Sequence, residues 1–266
     1  MFFFIFLILI FLCIGSFINM LAFRIAFDKS ILKARSFCPN CENIITWYDN
    51  IPLISWIFLR GKCRNCKKNI SPLYPFIEAL TTTVLLLVFI KFFGISLFFE
   101  SSNFVFAIQS IKSFFAYSIF FGALIAATRT DLEALIIPQC FTLWLVPVGF
   151  IFSFFNFLEI SFLESLIGAT SGYLILFLTA KIFKFFTGKN GLGIGDAEML
   201  ALIGSFLGIF GVWTTLMISS TIGLLIGVCY LLFTKQGKNT PIPFGPFLAL
   251  GALIHFLLGQ YFNFLI

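Results

Sequence analysis

Residues 104–138 read FVFAIQSIKSFFAYSIFFGALIAATRTDLEALIIP, an apolar run that closes on Arg129, Asp131, Glu133 and Pro138. Over 104–127 the only charge is Lys112. A bilayer crossing needs about 20 predominantly apolar residues, so this run is long enough to cross and has no polar face to show to water. The rest of the chain has the same character. Of its 266 residues, 60% are hydrophobic, 11% are charged and 41 are Phe, against about 25% charged in an ordinary soluble domain. The expected fold is an all-α, polytopic membrane helix bundle in contact with the lipid bilayer.

Apolar runs place spans near 2–23, 76–93, 104–127, 137–156, 160–183, 197–212, 213–233 and 244–264. The run Ala197–Phe233 is too long for one crossing, so a tight turn is expected near Gly211 and the count is about eight. The first run has no basic leader region or small-residue cleavage site, and reads as a retained helix rather than a signal peptide. Gly204/Gly208 and Gly223/Gly227 stand at a spacing that lets helices approach closely. No sequence repeat is evident.

Between the first two spans, 24–75 is polar and holds nine basic residues, Lys33 and Arg35 among them. Positive charge accumulates on the cytoplasmic side of membrane proteins. With this module inside and eight spans, Arg129, Lys181, Lys184, Lys189, Lys235 and Lys238 join it, 15 of the 17 basic residues. The net charge of +6 therefore reads as topology, with no nucleic-acid partner expected. Three regions follow: a first transmembrane helix (1–23), a cytoplasmic loop (24–75) and a transmembrane domain (76–266).

The loop contains Cys38-Pro-Asn-Cys41 and Cys63-Arg-Asn-Cys66. Two such knuckles present four thiolates to one ion, the set zinc prefers. The alternatives are disulfides or idle thiols, and a reducing compartment argues against the former. Four thiolates close the coordination sphere, so this Zn2+ would be structural, in a small zinc-ribbon-like module. Cys13, Cys140 and Cys229 lie in apolar runs and read as buried small residues.

Acids near a membrane core are costly and mark function. Asp28, Glu42, Asp49, Glu100, Glu159 and Glu164 fall in loops or at span ends, while Glu78 enters the second span. Asp131/Glu133 and Asp196/Glu198 form two D-x-E clusters that the charge reading puts on one membrane face. Two carboxylates brought together share a proton, the requirement for aspartic proteolysis. Gly191-Leu-Gly-Ile-Gly-Asp196 puts Gly193 and Gly195 beside the second acid, where backbone or substrate can approach closely. A helix-capping role for Asp196 is the structural alternative, and Glu133 and Glu198 read as secondary and water-facing. The single histidine, His255, lies deep in the last run and reads as packed.

These pieces resemble the type IV prepilin peptidase family over nearly the whole chain: Gly15-Ser-Phe-Ile-Asn-Met20 with Arg24, the paired cysteines around Trp47–Trp56, Ile70–Pro75 with Glu78, Thr130–Pro138, Gly191–Asp196 and Pro243-Phe-Gly-Pro246. The resemblance implies a bacterial inner-membrane enzyme that cuts the short basic leader of prepilins and pseudopilins after glycine at the cytoplasmic face. It also implies methylation of the new N-terminus with S-adenosylmethionine. It puts the catalytic aspartates at Asp131 and Asp196, supported by Pro138, Gly193, Gly195, Pro243 and Gly245, and associates the cysteine loop with methyl transfer. Asn19, Arg24 and Glu78 are the candidate supports for that step. Three positions depart from the family pattern: Arg129 where apolar residues are common, Gln139 where an acid or Asn is usual, and Glu198 where Lys is frequent. A peptidase without methylation and a non-enzymatic transporter or scaffold are the competing readings.

Overall fold

The computed structural model describes residues 2–30, 36–94, 104–188, 191, 193–234 and 242–262. Lys33, Arg35, Lys189, Lys235 and Lys238 from the orientation reading, with Glu100 and Leu192, lie outside the described residues. Those described form helices, turns and two isolated β-bridges, with no extended strand among them. The helices are α1 (Phe2–Ala26), α2 (Ile54–Phe58), α3 (Leu73–Phe93), α4 (Phe104–Ala134), α5 (Val146–Phe154), α6 (Phe162–Thr187), α7 (Ile194–Thr234) and α8 (Gly245–Phe262). The chain divides into two compact units, Met1–Phe98 and Phe99–Ile266. Among the described residues five helices are long and apolar enough to cross a membrane, and two shorter apolar stretches, Gln139–Phe154 and Gly245–Gly259, accompany them. This is a membrane protein.

In the first unit α1 packs on α3. Gly15 makes the closest approach: a Cβ there would lie 3.1 Å from Glu78 Cα. Asn19 Nδ2 donates to the Tyr74 carbonyl at 3.2 Å, and Phe11, Leu12, Ala22, Ile77, Val84, Leu85 and Val88 fill the seam.

In the second unit α7 doubles back on itself. At Gly208 the backbone takes φ 69° and ψ −173°, a region essentially closed to residues with a Cβ. The consequence is visible from α6. A Cβ on Gly172 would lie 2.6 Å from the Leu200 carbonyl oxygen and 3.3 Å from Val212 Cγ2. Twelve residues along a continuous helix would separate those groups by about 18 Å. Residues 194–207 and 209–234 are therefore two arms of a hairpin seated on α6. At its bend, Gly168 faces Gly204 and Gly208 so closely that neither helix has room for a side chain there. The expected reversal thus exists, three residues before Gly211.

Counting both arms, and leaving the short α2 aside, the described residues form eight apolar helical segments where eight spans were expected. The fourth differs most. Residues 139–145 are two short 3-10 turns, and α5 proper has nine residues. Pro138, at φ −66° and ψ 136°, and a second proline in the first turn of α5 keep one long helix from forming.

Aromatic stacking knits the core. Phe120 lies nearly parallel to Phe206 at 4.7 Å, and Phe256 meets Tyr117 and Phe121 at 4.6 and 5.1 Å. The α6 N-terminus carries a complete capping box between Ser161 and Glu164. Cys13 and Cys229, expected to be buried, are exposed, and Cys140 is half-buried. The first two sit on helix faces that the protein does not cover, where a small apolar side chain suits lipid.

Candidate active site

Asp131 occupies the last turn of α4. Leu135 ends that helix by taking φ 54°, and its N–H bonds back to the Asp131 carbonyl at 3.0 Å. The chain then runs out through Ile136, Ile137 and Pro138. Asp196 occupies the first turn of α7. Helix end and helix start thus present one carboxylate each, and both are buried.

Among the described residues each carboxylate accepts one backbone N–H. Gly245, the first residue of α8, donates its N–H to Asp131 Oδ2 at 2.9 Å, and Gly193 donates to Asp196 Oδ2 at 3.2 Å. The second bond is half of a capping box, so Asp196 does cap its helix. Its charge is also close enough to Asp131 for the two to act on one another. A Cβ at Gly245 would lie 2.8 Å from Asp131 Oδ2, and one at Gly195 would lie 2.8 Å from Ile137 Cβ. Ile137 is the common wall, touching the positions of both glycines. Glycine at 245 is therefore a steric requirement. Gly245→Ala should cut turnover about 10-fold or more by displacing Asp131 while the protein still melts cooperatively; parental turnover would contradict that displacement.

The companion acids separate. Glu133 pairs with Arg129 across one helical turn and stays partly exposed, while Arg129 is fully buried. Glu198, expected to face water, is 3% exposed. Its two oxygens accept from Gln139 Nε2 at 2.8 Å and Thr142 Oγ1 at 3.3 Å. Pro138 directly precedes those donors in the connector between α4 and α5, and Pro243 lies two residues before Gly245, leading into α8. Thr142 and Ile137 were not foreseen as site residues, since neither carries a recognisable chemical signal of its own. The Arg129–Glu133 pair is readable from its i,i+4 spacing. His255 is packed as expected, its Nδ1 2.6 Å from Thr214 Oγ1.

The chain belongs to the type IV leader peptidase family. The profile described as the type IV leader peptidase family matches residues 118–228, which include both aspartates, and that of the bacterial peptidase A24 N-terminal domain matches 9–92. The chain is 34% identical over 231 residues to the prepilin leader peptidase/N-methyltransferase of Aeromonas hydrophila, covering 87% of this chain and 74% of that protein. It is 33% identical over 231 residues to the protein of that name from Legionella pneumophila (87% and 75% covered) and to the one from Pseudomonas aeruginosa (87% and 74%). No solved structure matches the chain.

The N-terminal family region holds the cysteines. Cys38, Cys41, Cys63 and Cys66 are free thiols whose sulfurs all lie within 4.8 Å of one another. Cys38 Sγ and Cys66 Sγ are 3.9 Å apart, and a tetrahedral ion with metal–sulfur bonds of about 2.3 Å sets its sulfurs about 3.8 Å apart. The cluster fits a metal.

Two matching knuckles build that cluster. Glu42 N–H bonds to the Cys38 carbonyl at 2.9 Å, and Lys67 N–H bonds to the Cys63 carbonyl at 3.0 Å. Glu42 and Lys67 take φ 57° and 59°, and bridges Phe37–Ile44 and Lys62–Asn69 close the loops. The repeat is one of backbone shape, invisible in side-chain identity beyond the C-x-x-C spacing. The Cys66 backbone N–H pulls the Cys63 thiol down to about 7, toward the thiolate that a metal needs. Arg64 clasps Asp49 through two bonds of 2.7 and 2.8 Å and holds its carboxyl below the usual range.

Asn19, Arg24 and Glu78 are buried in this same unit. Glu78 Oε2 accepts the Leu53 N–H at 2.8 Å, at a residue with φ 58°.

Proposed function

We propose that this chain removes the short basic leader of type IV prepilins and pseudopilins after glycine, and methylates the N-terminus so exposed. The buried pair Asp131/Asp196, each carboxylate held by one glycine N–H, is the observation that carries this reading. The ionised member takes a proton from water as the water oxygen bonds to the scissile carbonyl carbon. The protonated member gives its proton to the carbonyl oxygen. The C–N bond then breaks as the amine is protonated, leaving a leader with a C-terminal carboxylate and a free amine on the pilin body. Gly195 and Gly245 let Ile137 and Asp131 pack against bare backbone, Gly193 donates to Asp196, and Pro138 and Pro243 aim the chain segments that flank the pair.

The excess of Lys and Arg on one side, together with the family, supports a bacterial inner-membrane location with the cysteine module and both aspartates facing the cytoplasm. The four cysteines hold a structural Zn2+, which leaves no open position for hydrolysis. S-adenosylmethionine, when bound, supplies the methyl group. Asn19, Arg24 and Glu78 support that transfer; a buried carboxylate suits a sulfonium cation.

Purified chain in detergent, given a synthetic prepilin and S-adenosylmethionine, tests this reading by mass spectrometry. The expected products are a leader ending in glycine and a body one methyl heavier than the bare cleavage product. An intact prepilin would overturn the enzymatic reading in favour of a scaffold, and an unmethylated body would leave a peptidase alone.

A further inference from the structure

We infer that Glu198, held by Gln139 and Thr142, is a positioning residue that sets the separation of the two catalytic aspartates. The inference rests on the proposed role of Asp131 and Asp196.

After Asp131 the chain leaves α4 through a connector, residues 135–145, whose only regular backbone is two three-residue 3-10 turns, before α5 begins. Such short turns give the connector no continuous helical ladder to hold it rigid. Two contacts tie this connector to the first two turns of α7. The first is apolar: Ile137 lies against Gly195. The second is polar: Gln139 Nε2 and Thr142 Oγ1 donate to the two oxygens of Glu198 at 2.8 and 3.3 Å. Asp196 stands between these tie points, at Gly195 and Glu198. Fixing the connector on both sides of Asp196 fixes its approach to the helix end that carries Asp131.

The choice of group supports a clamp over simple packing. Glu198 is 3% exposed and Thr142 fully buried, where an apolar residue would fill the space at less desolvation cost. A carboxylate has two acceptor oxygens, and the connector offers one donor to each. Neither donor is charged, so the contact is held by direction rather than by long-range attraction.

Reversing the bond tests the clamp. Gln139→Glu faces one carboxylate with another, and kcat for prepilin cleavage should fall about 100-fold with KM within about 3-fold of the parent. The double variant Gln139→Glu/Glu198→Gln restores an amide–carboxylate bond in the opposite sense, and the amide carbonyl it places at position 198 still accepts from Thr142. Its kcat should return to within about 10-fold of the parent. Parental kcat in Gln139→Glu, or a double variant no faster than that single, would overturn the clamp. If Gln139→Glu does not fold, Thr142→Val removes one donor with little change of shape; a kcat loss of about 10-fold is expected, and parental kcat would again overturn it. Asp131→Asn and Asp196→Asn run alongside. Loss of cleavage in them with no effect at 139, 142 and 198 defeats the clamp alone, whereas cleavage surviving in them defeats the aspartate reading itself.

Discussion

Asp131→Asn, and separately Asp196→Asn, should lower prepilin cleavage by at least about 10^3-fold, equivalent to about 4 kcal/mol of transition-state stabilisation. Asparagine keeps the size of aspartate and an oxygen that can still accept from Gly245 N–H or Gly193 N–H, the bonds seen at 2.9 and 3.2 Å. What it removes is the ionisable carboxyl that can take up and give back a proton. The change therefore separates chemistry from architecture. If Asp196 served its helix only as a cap, asparagine would serve nearly as well, and cleavage would persist. The double variant should be no slower than the slower single one, because two groups that share one proton fail as a unit. Thermal unfolding of all three should match the parent. Parental cleavage by either single variant, measured on the synthetic prepilin at matched protein, would rule out the pair as the hydrolytic centre.

How much of this was legible in the sequence depends on how local each signal is. The membrane class, the cysteine module and the two acidic clusters rest on runs, spacings and residue types that short windows of sequence contain. The hairpin in α7 was legible as a necessity of length, but not to the residue. Gly204, Gly208 and Gly211 all offer a bend, and only the fold shows that Gly208 takes it, with Gly168 on α6 packed against the reversal. The shortening of the fourth span was in principle readable, because Pro138 and the proline at the start of α5 interrupt any helix there.

Glu198 was the least legible residue. Its partners Gln139 and Thr142 are 59 and 56 positions away, so a polar residue beside a helix start reads as solvated. Only the fold makes it a buried acceptor. Gln139 and Glu198 registered in the sequence as separate departures from a family pattern; in space they are two ends of one bond. Asp131 and Asp196 illustrate the same limit from the other side. Residue type and membrane depth made them candidates, yet the donors that hold them come from Gly245, 114 residues beyond Asp131, and from Gly193, one turn before Asp196.

Cys63→Ser should strip the N-terminal module of its metal and abolish methyl transfer while sparing leader cleavage. The module has little core of its own: Cys38, Ser55 and Gly61 are the only buried residues among those described at 36–70, and large apolar side chains such as Trp47 and Phe58 are exposed. A metal bound by the four thiolates would then supply much of its folding energy, on the order of 10–16 kcal/mol for structural zinc near neutral pH. Cys63 is the informative site because its thiol is already drawn down to about 7 by the Cys66 N–H, and serine provides no comparable anion. Removing one of four thiolates leaves an open, weaker site that a chelator empties. The parent should carry about one zinc ion per chain, and the variant almost none. Cleavage should hold within about 3-fold of the parent, since both aspartates belong to the other compact unit, Phe99–Ile266. Metal analysis and the mass of the cleaved pilin body check both halves on one sample. A metal-free parent that still methylates would remove the structural ion from the account, and cleavage lost together with the metal would tie the cysteines to hydrolysis instead.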